Sequence, residues 1–529
     1  MSSKFTDDAY FSGRPYLEYV FILCACFGQL ITMAVTTNVL THMNLLQEDF
    51  NSSSSFKPWY MASFGLSVGT IILVSGRYGD VYGIRRVLVG GYIWNIIWSI
   101  LCGIAWYTQH LGPDFYVVAR TFQGVGVAFI LPNVLGAVGR VYKNGLRKKI
   151  VFGLIGSAAP AGSWVGLTMS GVIAVRTERW DWNYYAYAMF IAVAGVLTYL
   201  SVPDLPLILN DDGSRQDLDL IGSALGVSGM VLFNFAWNQA PIVGWQEGYI
   251  IALLVVGVFL LCLFVYWELK WAKNPLVPRM VLQHSRLPLI LLCVFFGWGA
   301  YSINIYHCYT LYLDFRGYTP FAAGAGLTPA PFFGLCAGIA CALLISPKTV
   351  EYLFLGAMLG FLAQTIIITT AEVDESYFRN TMAMWMVGPI GMNWTFPAAT
   401  IMLSEFLPPR SQGMAGSLVS VMMNYGISIF LGFAGTVEEE LHKQRPDDSW
   451  RAWRGAEYFS CGVAGLGFII SIILLLTKPR SIPTSSPPPD PEQDLAKKPA
   501  QNHDHAHRDI YAAGSHDDSD SISALSVDV

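Results

Sequence analysis

The sequence predicts an all-α integral membrane protein of about fourteen transmembrane helices. Three observations carry that expectation. Only 13% of the residues are charged, roughly half the share of a soluble globular chain. Hydrophobic residues make up 53%, and the mean hydropathy is +0.45. Apolar runs of about 20 residues, the length a helix needs to cross a bilayer, recur from Tyr19 to Thr477.

Taken in order, the first 16 residues are polar, and the run behind them is too long for the apolar part of a cleavable signal. Six spans follow: Tyr19 to Leu40, Trp59 to Val74, Val87 to Tyr107, Phe115 to Val138, Ile150 to Val175 and Tyr184 to Ser201. A middle pair covers Leu220 to Trp237, which is short, and Tyr249 to Trp267. Six more are Leu287 to Leu311, Phe321 to Ile345, Tyr352 to Thr370, Thr381 to Leu403, Met414 to Val437 and Tyr458 to Thr477. The run from Phe321 is rich in Gly and Pro. This six-two-six layout divides the chain into a tail over 1–16, a bundle over 17–203, a helix pair with its linker over 204–268, a second bundle over 269–477 and a tail over 478–529. The last segment is rich in Ser, Pro, Asp and His and cannot bury enough apolar surface to order itself.

Lys and Arg gather on the cytoplasmic side of membrane proteins. With the N-terminus inside, cytoplasmic segments hold nineteen of them and outer segments nine. The loop from Arg140 to Lys149, with Lys143 within it, is the densest anchor. An even span count then puts both termini in the cytoplasm of a multi-pass protein, of the plasma membrane first and the vacuolar membrane second. Asn51-Ser52-Ser53, in the first outer loop, is a glycosylation sequon.

The function classes excluded are several. A net charge of −5 argues against a nucleic-acid partner. None of the nine Cys forms a CxxC pair, so neither disulfides nor a zinc site is expected, and no cofactor. His503, His505 and His507 in the tail read as solvated rather than as a metal site. No GxxxxGK[ST] or HExxH run occurs, and the GxSxG run from Gly65 to Gly69 lies inside an apolar span and not at a strand-to-helix elbow, which argues against ATP hydrolysis and against an enzyme.

Five stretches carry chemistry. After the second span, Gly76-Arg77-Tyr78-Gly79-Asp80-Val81-Tyr82-Gly83-Ile84-Arg85-Arg86 makes a compact charged loop. It is either a conformational hinge or an ordinary basic loop. Arg120 and Gln123 share a face of the fourth span. A membrane Arg costs roughly 2.5–3.5 kcal/mol by insertion scales, so it faces protein interior or cavity, or snorkels outward. The fifth span carries Gly156, Pro160 and Gly162, small residues that let helices approach and a break in the hydrogen-bond ladder. The ninth span offers Asn304 and His307 among tyrosines, as a proton-bearing site or an aromatic belt. Asn393 and Trp394 on the twelfth pair an amide with a large ring.

These motifs resemble the major facilitator superfamily. The Gly76 to Arg86 run looks like its signature between helices two and three. Arg120 to Gly126 looks like the RxxQG signature of helix four. Gly156-Ser157-Ala158-Ala159-Pro160-Ala161-Gly162 resembles the antiporter signature, with Ser163 where a second Gly is usual. Trp59, Arg179 to Trp182, and Pro408-Pro409 to Gly413 are similar to the fourteen-helix drug:proton antiporters. Met61 to Phe64 and Gly124 to Asn133 look closer still to the fungal aminotriazole- and boron-resistance exporters, a branch with some members described as low-affinity ammonium transporters.

The resemblance implies alternating access around a cavity between two six-helix bundles, lined by spans one, four, nine and twelve, with the extra pair at the periphery. It places Asp80 against the start of span thirteen near Ser411. The first-helix acid of many proton-coupled relatives is absent here: the polar face is Gln29, Thr32 and Thr36. The expected activity is proton-coupled efflux of small toxicants or metabolites. A low-affinity uptake carrier or facilitator, for ammonium or another small solute, is the second reading, and a transporter-like ligand sensor the third. Partners are a small-molecule substrate, the lipid bilayer and protons. The acids, among them Glu438 and Glu457, fall at expected span ends, leaving Arg120 as the fixed charge of the cavity and favouring neutral or anionic solutes.

Overall fold

The structure is a computed structural model and describes residues 8–11, 14–142, 145–207, 217–407 and 412–477. Among these there are helices and no strand. Among the described residues, thirteen helices are long and apolar enough to cross a membrane. They are α1 Pro15–Thr41, α2 Ser54–Tyr82, α3 Ile84–Leu111, α4 Asp114–Val141, α5 Ile150–Thr177, α6 Asp181–Ser201, α7 Leu220–Val243, α8 Gly248–Lys270, α9 Arg286–Phe315, α10 Pro320–Leu344, α11 Val350–Thr369, α13 Met414–Gln444 and α14 Ser449–Leu476. The fourteenth, α12 Thr381–Ser404, has the length but is less apolar, because two prolines, Asn393 and several Thr and Gly interrupt it. Pro408, Pro409, Ser411, Lys143 and the tail histidines lie outside the described residues.

Several helices overrun their expected ends, because hydropathy marks where lipid contact stops, not where backbone hydrogen bonds stop. α2 continues through the Gly76 motif to Tyr82, so that stretch is the last two turns of a helix and not a loop. The turn comes at Gly83, whose φ of +96° suits a residue without Cβ. α13 runs to Gln444, and α14 starts at Ser449, where the Asp448 side chain accepts from the Arg451 amide at 3.0 Å. Glu438 and Glu457 therefore lie inside helices, Glu457 about two turns from the start of α14. α10 is broken between Pro320–Ala325 and Pro329–Leu344, at Gly326 and the Thr328-Pro329 step.

α1 packs on α5 and α6, α4 lies against α2 and α3, α9 against α13 and α14, and α11 against α12 and α14. Two long seams join α1–α6 to α9–α14. α2 runs along α13, and α5 runs along both parts of α10. Both are built on small residues. A Cβ on Gly69 would lie 2.5 Å from the Tyr425 amide nitrogen, and one on Gly171 would meet the Pro320 backbone. α7 docks on the α2–α13 seam, where Asn238 donates to the Ser428 carbonyl at 3.3 Å and Ser428 donates to Asn234 at 3.1 Å. α8 packs on α7 and turns most of its apolar surface outward.

Candidate functional site

The helices have two ends. One carries the connection 42–53 and is the Asn51 face; the other carries Asp80. Asn51 itself is exposed, in a turn with φ of +49°.

At the Asp80 face, the Asp80 carboxylate pairs with Arg140 of α4, each about a quarter exposed. Asp80 thus braces α2 to α4; its expected partner region at Ser411 is not described. The link to α13 runs instead through Arg77, which donates to Met414 Sδ at 3.3 Å and to the Pro275 carbonyl at 3.1 Å, and through Gly76, which lies close to Ser417. Arg85 pairs with Asp204 at 3.0 Å, and Arg86 is exposed.

Arg120 is completely buried. It donates to Gln123 Oε1 at 2.6 Å and to the Val35 carbonyl at 3.0 Å, with the Phe64 ring 4.8 Å below. Gln123 passes the chain on to Ser99 at 2.7 Å. Arg120 therefore ties α4 to α1 and does not line the cleft described below; no carboxylate among the described residues forms an ion pair with it. His42 bonds Ser170 at 2.7 Å nearby, and burial, then the Arg120 charge, push its imidazole down to about 3. On α1, Gln29 is buried, while Thr32 and Thr36 donate to carbonyls of their own helix at 2.7 Å. Gly162 of α5 lets the α1 backbone at Leu30 approach, and Gly156 faces Asn393.

A narrow cleft, about 10 Å³ in this state, is lined by Pro160 and Ser163 of α5, Tyr301 of α9, Leu327 and Ala330 of α10, Gln364 of α11 and Trp385, Gly388, Pro389 and Met392 of α12. Spans nine and twelve line it as expected; α5, α10 and α11 take the place of spans one and four. None of these side chains is charged. Gln364 is fully buried, and neither its carbonyl nor its amino group has a hydrogen-bond partner. Gly388 makes room for it, because a Cβ there would strike the Gln364 amide. Beside the cleft, Asn393 donates to Pro389 O at 3.0 Å while its Oδ1 has no partner. Trp394 donates to Ala337 O at 2.8 Å and serves α10–α12 packing.

Asn304 is consumed by neighbours: it donates to Thr365 at 2.7 Å and accepts from Ser460 at 2.9 Å. His307 stands between Glu457, at 3.1 Å, and Glu438, at 3.5 Å. Sequence reasoning placed both acids at span ends and passed over Gln364. A polar residue amid the apolar run of α11 was the available signal. Near the Asn51 face, Lys57 of α2 pairs with Asp314 of α9 at 3.0 Å, Asn44 donates to Asp314 at 2.6 Å, and Ser55 donates to Glu439 of α13 at 2.7 Å. α2 is thus held against α9 and α13 at this face, and against α13 at the other.

The family description of the Major Facilitator Superfamily matches residues 25–378 and 351–508. The aminotriazole resistance protein of Saccharomyces cerevisiae is 38% identical over 474 residues, covering 89% of this chain and 86% of that one. The low affinity ammonium transporter of the same yeast is 37% identical over 458 residues, covering 86% and 88%. Among solved structures, the proton:xylose symporter XylE superposes with a TM-score of 0.60 at 13% identity, over 88% of this chain and 96% of that one, a likeness of fold.

Proposed function

This chain belongs to the major facilitator superfamily and is a membrane transporter, and from that premise we propose that it exports small uncharged toxicants or metabolites, driven by protons. The cleft is the substrate site of this reading. The observation that carries it is the buried, unpartnered amide of Gln364 among uncharged walls with Tyr301 and Trp385 at their sides. Leaving such a group unpaired costs about 1–3 kcal/mol. A solute with one donor and one acceptor beside a flat apolar face recovers that cost. An organic cation finds no carboxylate there to offset its desolvation.

Alternating access follows from the two seams. The Lys57–Asp314 and Ser55–Glu439 contacts close the cleft toward the Asn51 face, and the Arg77 contacts hold the opposite one. Exchanging these sets moves α1–α6 against α9–α14. One proton crossing about 100 mV supplies ~2.3 kcal/mol, and a pH unit about 1.4 kcal/mol. Together they sustain a gradient of roughly several hundred-fold for a neutral solute. The Lys and Arg distribution supports an N-terminus in the cytoplasm and the Asn51 face outside. Ser53→Cys is then labelled by an impermeant reagent from outside; labelling only from the cytoplasmic side inverts the map.

A second reading, low-affinity carriage of ammonium, draws on the ammonium-transporting relative and on the same uncharged cleft, which suits ammonia. Both are tested by expression in yeast lacking its own exporters. The export reading expects greater tolerance of aminotriazole or boric acid than of quaternary cationic dyes. Tolerance raised chiefly to the dyes contradicts it. Growth on scarce ammonium in cells lacking ammonium carriers, without any gain in tolerance, favours the second reading.

A further inference from the structure

α9, α13 and α14 meet below the Asn51 face around one imidazole held by two carboxylates. His307 Nδ1 is 3.1 Å from Glu457 Oε1, and Nε2 is 3.5 Å from Glu438 Oε2. His307 and Glu457 are buried, whereas the Glu438 side chain is 32% exposed. Among the described residues no Lys or Arg forms an ion pair with either acid; Lys443 pairs with Glu439 and Glu440 instead. The other groups around the cluster are few. α9 adds Tyr306, with Asp314 and Tyr60 of α2 behind it, and Cys308, with the Arg316 charge beyond it. α11 adds Thr369, and α14 adds Cys461 and the Trp453 indole, which donates to the His307 carbonyl at 3.0 Å.

The contacts argue for an extra proton: Nδ1 is within hydrogen-bond range of Glu457, and Nε2 is at ion-pair distance from Glu438. A neutral imidazole donates from one nitrogen only; the other presents a lone pair. Facing a carboxylate on each side, either the ring carries both protons or one acid carries the missing one. The cluster thus holds one proton beyond its fully deprotonated form, and its charge is then −1. Glu457 Oε2 is buried with no hydrogen-bond partner. A second proton there removes a buried charge that is otherwise costly.

We propose that His307, Glu438 and Glu457 are the proton-binding site of this transporter; the proposal rests on the proton-driven export read above. Glu438 meets water and takes the proton, the His307 ring accepts a proton at Nε2 as it gives the Nδ1 proton to Glu457, and Glu457 stores it. Two structural links join the site to transport. Glu439, beside Glu438, accepts from Ser55, and Asp314, on the His307 helix, is bound by Lys57, so both contacts that close this face spring from the helices the cluster joins. Inward, Ser460 lies three residues from Glu457 and bonds Asn304, which bonds Thr365, the neighbour of Gln364 in the cleft. Protonation of Glu457 removes the ion pair joining α9 to α14, and the face is released.

The test uses the full chain reconstituted in lipid. Infrared pH-difference spectra should show a buried carboxylic-acid band that grows on acidification. Glu457→Gln should lose it, and Glu438→Gln should move its midpoint by about one pH unit or more, with melting temperatures as the control for folding. Because Glu438 is partly exposed, its variant keeps the test standing if Glu457→Gln does not fold. A band unchanged in both variants, or none in the wild type, means a structural ion pair and overturns the site. In inside-out vesicles probed with aminotriazole, Glu457→Gln should cut gradient-driven accumulation tenfold or more while exchange at equal pH persists. Equal loss of both overturns the coupling role of the site. Wild-type transport indifferent to the gradient, with the band still titrating, overturns the proton-driven export reading and leaves the proton site standing.

Discussion

Two buried polar networks sit at nearly the same depth below the Asn51 face, one in α4 and one in α9. Arg120 is six residues from the start of α4, and His307 eight from the end of α9, roughly 9 and 12 Å in at 1.5 Å per residue. Their chemistry is opposite. Arg120 is a guanidinium that donates to a carbonyl and an amide, with its Nε unpartnered and no carboxylate paired with it among the described residues. His42 beside it is held neutral. His307 is a titratable group between two titratable acids. The acid of the first helix, Glu18, is paired with Arg147 at the helix start, and the proposed proton site lies elsewhere. Fixed charge and neutral donors make a rigid joint in α1–α6, and the proposed proton site belongs to α9–α14.

The largest expected effect comes from the rigid joint. Arg120→Ala strands Gln123 and the Val35 carbonyl and loses two charge-assisted bonds at about 1.5–3 kcal/mol each. Thermal unfolding in detergent should show a loss of roughly 3 kcal/mol or more at neutral pH, and a smaller one below about pH 6.5, where the variant no longer opposes protonation of His42. A loss that grows on acidification would erase the distinction between the two networks. Next is the cleft. Gln364→Leu should weaken apparent solute affinity about tenfold, some 1.4 kcal/mol, while thermal stability holds or rises because a buried unpaired amide is gone. Unchanged transport kinetics would move the substrate site elsewhere.

His42 gives a pH signature with a definite sign. Its folded value, about 3, is below the ordinary 6.5, so the unfolded chain binds the extra proton between them. Stability is then lost as pH falls from about 6.5 toward 3, by about 1.4 kcal/mol at roughly pH 5.5. His42→Gln should flatten that loss, read as the pH dependence of the melting temperature. The smallest effect belongs to a partly buried pair on the opposite face. Asp80→Asn removes an Arg140 contact worth up to about 1 kcal/mol, a bias of roughly fivefold between two gate states. Insertion should be normal and turnover about fivefold lower. A hundredfold loss would mean that Asp80 carries more than its pairing with Arg140.

The helices were legible because lipid imposes length and apolarity on each span. α12 was found despite its prolines and Asn393, since its flanks remain apolar. Arg120 and Gln123 were read as sharing a face, and they bond directly. Helix ends were not legible. Glu457 reads as a boundary in a hydropathy profile, yet α14 begins eight residues earlier under an Asp448 cap. That error hid the acids of the His307 cluster. The cleft was half legible: Tyr301 and Pro160 stood out, while the lining by Gln364 depends on α11 rotation and on Gly388 making room, neither of which a single chain's pattern encodes. Asn304 and Trp394 were plausible site residues by type, but their polar atoms are taken up by neighbouring helices.

The central claim is proton-driven export of a neutral solute, and transport in sealed inside-out vesicles tests it most directly. Aminotriazole or boric acid should accumulate several-fold inside when the lumen is acidified, and a protonophore should abolish the accumulation. Accumulation unchanged by the protonophore, or uphill movement of quaternary cations in preference to the neutral solutes, would contradict the account.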